Sequence, residues 1–206
     1  MKYTAIDKRP VTGQVRVGLL GLDGDEQADL DDHGGPEQAV YAYAREDLDW
    51  WEGQLGRELR DGVFGENVTI EGLEVTGALI GETWRLGSAV VQVTSPRIPC
   101  SVFRGWMDEK GWVKRFAAAA RPGAYLRVLR PGTVGAGSEA ERLSRPERSV
   151  TVRAVLRGYY DRDAEVIAAM VAVPGHNRRF DTFPSILSAA EAGAIGVSSA
   201  SHASRG

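Results

Sequence analysis

The one cysteine of the chain, Cys100, lies in the stretch VTSPRIPCSVF. Pro96 and Pro99 each fix the backbone angle φ and restrict the residue before them, so the stretch predicts a rigid, non-helical turn. Arg97 comes three positions before the cysteine and carries a permanent positive charge. A cation near a thiol increases the fraction of thiolate, the form that attacks electrophiles and binds metals. The stretch therefore predicts a thiolate site beside a group that can grip phosphate.

A structural interpretation of Cys100 competes with this one. A lone cysteine is most often a small buried apolar residue. The proline-locked turn and the neighbouring Arg97 favour a functional site. From the residues alone both interpretations stay open.

Two further turns carry groups that could do chemistry. His33 is followed by Gly34 and Gly35 and then by the start of a predicted helix, and backbone N–H groups in such a turn attract anions. Glu66 and Asn67 lie in a predicted turn after a glycine. The ordinary alternatives are a turn or capping histidine and an Asx-type turn.

Composition narrows the class of protein. A chain of 206 residues favours one large domain, with or without a small appendage. Its net charge of −3 argues against general nucleic-acid binding, and the pair Lys8 and Arg9 is by default a solvated pair of cations. No run approaches the length of a membrane helix, the N-terminus has no apolar signal, and one cysteine fits a reducing compartment. We expect a cytoplasmic protein that binds neither membranes nor nucleic acids.

Short apolar runs separated by Gly, Asp and Pro dominate the first 150 residues. This rhythm predicts a mainly β barrel or sandwich. Two helices are predicted to interrupt it, over residues 36–55, with Pro36 in the first turn, and over residues 108–120, ended by the RPG at 121–123.

The composition changes near residue 150. The runs DRDAEVIAAMVAVPGH and FPSILSAAEAGAI predict helices, with Gly175 at a stop and Pro184 at a start. The last eleven residues are small and polar, and we expect them to fray. The chain therefore divides into a β-rich domain, 1–150, and a helical extension, 151–206.

The order of the motifs KRPV, GDEQAD, HGGPEQAV, FGENVT and PRIPC resembles the MOSC domain family, named after the C-terminal domain of molybdenum cofactor sulfurase, and within it the bacterial YiiM-like branch. The likeness runs from about residue 8 to residue 134. It implies a β-barrel core with a few helices and a pterin-bound molybdenum cofactor (molybdopterin). It also implies an oxidoreductase that reduces N-hydroxylated compounds such as hydroxylamino-purines or amidoximes.

The resemblance also implies roles for individual residues. Cys100 matches the family cysteine that ligates molybdenum or, in sulfurases, carries sulfur as a persulfide. Arg97 would bind the anionic part of the cofactor, and the HGG and GEN turns would line the site, with His33 or Glu66 as a proton donor. Residues expected to contact the cofactor are Lys8, Arg9, Gly34, Gly35, Asn67, Arg97 and Arg121.

Two alternative functions remain beside the reductase. In one, Cys100 carries a persulfide supplied by a separate desulfurase, and in the other the MOSC pocket serves a cofactor-free reaction or binding. Tyr41, which stands where some relatives have a second histidine, and the alanine-rich C-terminus leave room for the latter. No flavin, haem or iron–sulfur motif is recognisable, so a reductase would need a separate electron-donor protein. The tryptophan pair at 50–51 suits either a core or a homodimer interface.

Overall fold

The computed structural model describes residues 5–26 and 34–183. Nine strands and five α-helices occur within these residues, together with short 3₁₀ turns at Pro36–Gln38 and Arg178–Phe180. The strands are β1 Gln14–Gly18, β2 Gly21–Leu22, β3 Val40–Ala44, β4 Val68–Ile70, β5 Thr83–Leu86, β6 Ala89–Pro96, β7 Ala124–Arg130, β8 Gly132–Gly135 and β9 Ala140–Ser144. The helices are α1 Arg45–Leu55, α2 Ser101–Met107, α3 Trp112–Ala119, α4 Val152–Asp161 and α5 Ala164–Val171.

The strands form two sheets. Six of them, in the order β4-β3-β7-β6-β5-β9, make a curled half-barrel, and β2-β1-β8 make a smaller sheet. Only β3 and β4 pair in parallel, because α1 crosses between them, and the other strand pairs are antiparallel. The predicted mainly β fold with a few helices is confirmed.

The predicted helix over 36–55 is wrong in its first half. Only α1 is α-helical, and residues 40–44 form the strand β3. All five side chains of this VYAYA run are buried, with β4 on one side and β7 on the other. Burial in the sheet outweighs the local helical pattern, as tertiary contacts commonly do for short apolar runs. The predicted helix over 108–120 corresponds to α3, and helix α2 was not predicted.

An aromatic core lies under α1, α2 and α3. Phe64 is fully buried and sits against Tyr43, Phe103 and Trp112 in edge-to-face contacts, with ring centroids 5.0, 5.3 and 5.6 Å away. Trp51 belongs to this core, so one of the two paired tryptophans is an interior residue. The Cys100 turn therefore packs against closely packed aromatic rings.

The C-terminal helices share the core of the sheets. The last described strand ends at Ser144 and helix α4 begins at Val152, while the predicted division into two domains stays a prediction. Val152, Ile167 and Met170 are fully buried in the same cluster as the sheet residue Val91. The predicted helix beginning at Pro184 and the frayed tail lie outside the described residues. No helix within 5–26 and 34–183 is long and apolar enough to cross a membrane.

Helix α4 begins at a side-chain cap that offers a clean test of the fold. The Thr151 hydroxyl accepts a hydrogen bond of 3.0 Å from the Ala154 N–H. We expect Thr151→Ala to lower the free energy of unfolding by about 1 kcal/mol, because an otherwise unsatisfied N–H loses its partner. Chemical denaturation measures the change, and Thr151→Ser, which keeps the cap, is the control. Equal loss in both variants would contradict the assignment.

Candidate functional site

The turn that carries Cys100 follows directly from the end of β6. Residues 97–100 are irregular, as the two prolines predict, and Cys100 is the residue immediately before α2. The Cys100 carbonyl accepts the Arg104 N–H at 3.0 Å, so the turn is tied into the first turn of that helix. Cys100 is half-buried and packs against the aromatic core. Its surroundings are therefore rigid, and its side chain is not sealed inside the protein.

Arg97 is a buried cation in this turn. Only 7 % of the residue is exposed. Its guanidinium carbon lies 4.5 Å from the ring centroid of Phe103 and 5.1 Å from that of Tyr41. Nε is buried without a hydrogen-bond partner, and within residues 5–26 and 34–183 the guanidinium forms no salt bridge.

The electrostatics connect Arg97 to its neighbours. Burial lowers the pKa of Arg97, but interactions with Tyr125, Tyr41, Cys100 and, more weakly, Glu66 raise it, and the net shift is upward. Burial raises the pKa of Tyr41 well above its ordinary value, although Arg97 acts in the opposite direction. A charge on Cys100 therefore acts on Arg97 and raises its pKa.

The glycine turn before β3 has the backbone that its sequence requires. Gly34 and Gly35 have φ angles of +140° and +80°, which side-chain-bearing residues rarely adopt. A Cβ placed on Gly35 would meet no atom of the described residues within 4 Å. His33 lies outside the described residues, and its predicted role as a proton donor stays a prediction.

Glu66 organises the loop that precedes β4. The residue is only 2 % exposed. Its carboxylate accepts the N–H groups of Gly62 at 2.7 Å and Phe64 at 2.9 Å, and the Thr69 hydroxyl at 3.2 Å. Burial raises the pKa of Glu66 more than these hydrogen bonds lower it. The structure thus explains Glu66 as a loop-holding carboxyl group, while its proton-donor role stays a prediction.

The raised pKa of Glu66 gives a pH dependence of stability. The folded protein holds the Glu66 proton more tightly than the unfolded chain, whose carboxyl titrates near the ordinary value of 4.5. This contribution to stability is present below that value and is lost as pH rises through the folded-state pKa. We therefore expect the stability advantage of wild type over Glu66→Gln to shrink as pH rises from about 4.5. Thermal unfolding of both proteins across this range checks the sign, and an advantage that grows with pH would contradict it.

Asn67 joins the same loop to β3 and to a carboxylate that the sequence reading did not single out. The Asn67 N–H donates to the Tyr41 carbonyl, and its side-chain oxygen accepts the Tyr41 N–H, both at 2.8 Å. Its side-chain nitrogen donates to Asp25 Oδ2 at 2.8 Å. Asp25 also pairs with Lys8. Asp25 lies in the quoted GDEQAD motif, which was the available signal for it.

Two of the predicted basic residues share a cavity with the predicted turn residues Glu66 and Asn67. Lys8 and Arg9, with Glu66 and Asn67, line a cavity of about 620 Å³ between the N-terminal segment and the 61–69 loop. The lining described for this cavity includes neither Arg97 nor Cys100. Glu66 connects this cavity with the Cys100 turn. It lines the cavity, and its charge also raises the pKa of Arg97.

Each of these basic residues has a carboxylate partner. Arg9 pairs with Asp7 at 2.9 Å, and Lys8 with Asp25. Arg121 pairs with the buried Asp47 and lies over the Trp50 ring, with 4.7 Å between the guanidinium carbon and the ring centroid. To bind an anion, each would have to exchange its partner. Their predicted contacts with a cofactor stay predictions.

Two aromatic residues that act on Arg97, Phe103 and Tyr125, were not predicted. Phe103 comes three residues after Cys100, one turn into α2, but α2 was not predicted. Tyr125 lies on β7 opposite Tyr41, 5.0 Å away between ring centroids. No local sequence signal points to Tyr125, because only the register of β3 and β7 brings it to the site.

The donor set suits a single soft ligand and an anionic group. Within the described ranges, no three His, Cys, Asp or Glu side chains gather where they could hold a metal ion by themselves. Cys100 could supply one thiolate, and Arg97 a buried cation that has no salt-bridge partner among the described residues. Such a pair fits a metal that arrives with its own anionic organic ligand.

Comparisons with known proteins show which family the chain belongs to. The family model described as MOSC domain matches residues 29–141. The chain is 40 % identical to the uncharacterized protein YflK of Bacillus subtilis over 159 residues, which are 77 % of this chain and 72 % of the relative. It is 32 % identical over 147 residues to a protein named reductase from Gibberella moniliformis, covering 69 % of this chain and 26 % of that protein.

The fold also agrees with a solved structure. The crystal structure of YiiM from Geobacillus stearothermophilus matches with a TM-score of 0.77 and 30 % identity, over 90 % of both chains. The resemblance that the motifs indicated is confirmed over fold and sequence together. The chain belongs to the MOSC domain family and to its YiiM-like branch.

Proposed function

We propose that this protein binds a molybdenum cofactor of the pterin type and reduces N-hydroxylated compounds, with electrons from a separate protein. Its substrates would be compounds of the hydroxylamino-purine or amidoxime type. MOSC membership and the relative named reductase support an enzyme of this general class.

The observation that carries the proposal is the state of Arg97. An ionised side chain that is buried without a counter-ion costs several kcal/mol, so such groups are normally paired. Arg97 is nine-tenths buried, and no salt-bridge partner for it occurs in the described part of the chain. A phosphate or another anionic part of a cofactor would supply the missing partner through the planar guanidinium fork. The residues present therefore fit an anionic cofactor.

Cys100 supports the metal part of the proposal. Its thiolate is a soft ligand, and the cation beside it favours that form. Pro96 and Pro99 fix the turn, and the aromatic core beneath it restricts movement.

When bound, the cofactor would supply two-electron redox chemistry. Reduction of an N–OH group to N–H consumes two electrons and two protons and releases water. The chain's part is to hold the cofactor through Cys100 and Arg97 and to deliver protons. Glu66, whose pKa burial raises, and His33 are the two candidate donors.

A reductase assay tests the proposal. The purified protein, isolated from a host that makes the cofactor, would receive reduced viologen as an artificial electron donor and 6-hydroxylaminopurine or benzamidoxime as substrate. We expect formation of the corresponding amine or amidine, with much slower turnover when the host cannot make the cofactor. Equal rates from the two hosts, or no product with either substrate, would overturn the proposal.

A further inference from the structure

Strand β6 contains an irregularity just before the Cys100 turn. Val93 pairs with Leu126, but Ser95 pairs with Tyr125, so two steps on β6 face one step on β7. Thr94 is the extra residue of this β-bulge. Its hydroxyl lies 2.6 Å from the Glu37 carbonyl oxygen and 3.0 Å from that of Tyr125. Bulges re-aim the residues that follow them, and here those residues are Pro96 and Arg97.

The C-terminal extension covers this bulge through one buried residue. Asn177 is 1 % exposed. Its N–H donates to the Thr94 carbonyl at 3.1 Å, and its side-chain nitrogen donates to the Ser95 hydroxyl at 3.2 Å. Its side-chain oxygen accepts the Arg179 N–H at 3.1 Å, which fixes the orientation of the amide. Asn177 thus contacts both residues of the bulge that directly precede Pro96.

The close approach of this segment depends on a glycine. Gly175 has a φ of +84°, and a Cβ at that position would lie 2.3 Å from Gln92 Oε1. His176 closes the turn, with Nδ1 2.8 Å from the Val173 carbonyl oxygen and Nε2 2.5 Å from Asp181 Oδ1. The segment 175–181 is therefore shaped to lie directly on β6.

The same segment also reaches the glycine turn. Arg178 Nε donates to Glu37 Oε1 at 3.0 Å, although Arg178 is 74 % exposed. Glu37 follows Gly35 by two residues, and its carbonyl is the acceptor for Thr94. The segment 175–181 therefore joins the two turns that the site is built from. The exposed ion pair contributes little energy, so the buried Asn177 is the stronger link.

We propose that Asn177 is a positioning residue for the site: it holds the bulge at Thr94 and Ser95 and thereby sets the Arg97 guanidinium against Cys100. The C-terminal extension is then part of the site. This inference rests on the proposed function only in taking Arg97 and Cys100 as its working groups.

The test measures the coupling between Arg97 and Cys100 directly. Cys100 is the chain's only cysteine, so intact mass after iodoacetamide treatment reports one site. The full-length protein, from a host unable to make the cofactor, is alkylated across pH 5–10, and the midpoint of the rate profile is recorded. Steric access changes the height of this profile, whereas loss of a neighbouring cation raises its midpoint. Molybdenum per chain, in protein from a cofactor-competent host, is the second readout.

Five variants define the outcome. We expect Arg97→Gln to raise the midpoint by about one unit or more. Asn177→Ala and Ser95→Ala should each raise the midpoint by about half a unit, which is about a threefold smaller thiolate fraction at neutral pH. The double variant should raise the midpoint little more than either single variant, because both remove the same contact. Asp163 caps α5, because its side chain accepts the N–H groups of Glu165 and Val166. Asp163→Ala therefore weakens the same extension without removing a contact to β6. Its midpoint should match wild type.

The possible failures are distinguishable. If Arg97→Gln leaves the midpoint in place, the coupling of Arg97 with Cys100 is refuted, and the proposed function loses its main support. If Arg97→Gln shifts it but Asn177→Ala and Ser95→Ala do not, the positioning role is refuted and the site stands. An equal shift in Asp163→Ala would reduce Asn177 to a stability effect. Ser95→Ala keeps the test valid if Asn177→Ala does not fold.

Discussion

Replacing Cys100 by serine is expected to lower both the rate of N-hydroxylated-substrate reduction and the affinity for the cofactor, each by at least about a hundredfold. The loss of a residue that only hydrogen-bonds to a metal ligand already lowers metal affinity or activity by up to about a hundredfold, and Cys100 would be the ligand itself. Serine keeps the size and turn geometry but is a hard, weakly acidic oxygen donor. The side chain is half-buried at the start of α2, so the fold should tolerate the change. Turnover and retained molybdenum are the measurements.

The neighbouring serine offers a matched control. Ser101 is exposed on α2, one residue beyond the thiol, and Ser101→Ala should leave both readouts at the wild-type level. If Cys100→Ser kept full molybdenum and turnover, the thiolate would be dispensable and the proposal wrong. If it kept molybdenum but lost turnover, Cys100 would act in the reaction and not as the anchor.

Replacing Arg97 by methionine is expected to move stability and function in opposite directions. The buried guanidinium lacks a salt-bridge partner within the described residues, and replacing a poorly compensated buried charge by an apolar side chain stabilises a protein by about 1–2 kcal/mol. The lost contacts with Tyr41 and Phe103 offset part of this gain. Cofactor affinity should fall at least about tenfold, because its anionic part loses its buried cation. Denaturation of the cofactor-free protein measures the change in stability, and molybdenum retained after dialysis measures the change in cofactor affinity.

Arg121 is the matched control for the stability arm. Arg121 is partly buried and, like Arg97, lies beside an aromatic ring. It pairs with the buried Asp47, whose other oxygen accepts the Thr76 hydroxyl at 2.5 Å. Arg121→Met leaves that carboxylate unpaired and should destabilise the protein by about 1–3 kcal/mol. If Arg97→Met were destabilising to the same degree, Arg97 would be a structural cation and the anion-site argument would fail.

The local features of the site could be predicted because they depend on residues close in sequence. The two prolines determine that residues 97–100 are not helical, and Arg97 lies near Cys100 because the turn is short. The glycine turn at 34–35 likewise depends on its own residues, because its positive φ angles are readily adopted by glycine. The family resemblance added the fold, which is confirmed.

The remaining features depend on contacts between distant residues. The VYAYA run is compatible with a helix until β4 and β7 bury it from both sides. The sequence alone does not show a carboxylate partner for Arg121, but in the fold this arginine pairs with Asp47, 74 positions away. Asn177 reaches Ser95 across 82 positions. Register and packing determine such pairs, and a local pattern does not record them.

The most direct test of cofactor binding is the molybdenum content of the wild-type chain, by elemental mass spectrometry after purification from a cofactor-competent host. We expect close to one molybdenum per chain, because Cys100 offers a soft ligand and Arg97 a buried cation without a salt-bridge partner in the described structure. Protein without molybdenum, from a host whose other molybdenum enzymes are loaded, would contradict it. The Cys100 persulfide would then be the next chemistry to test.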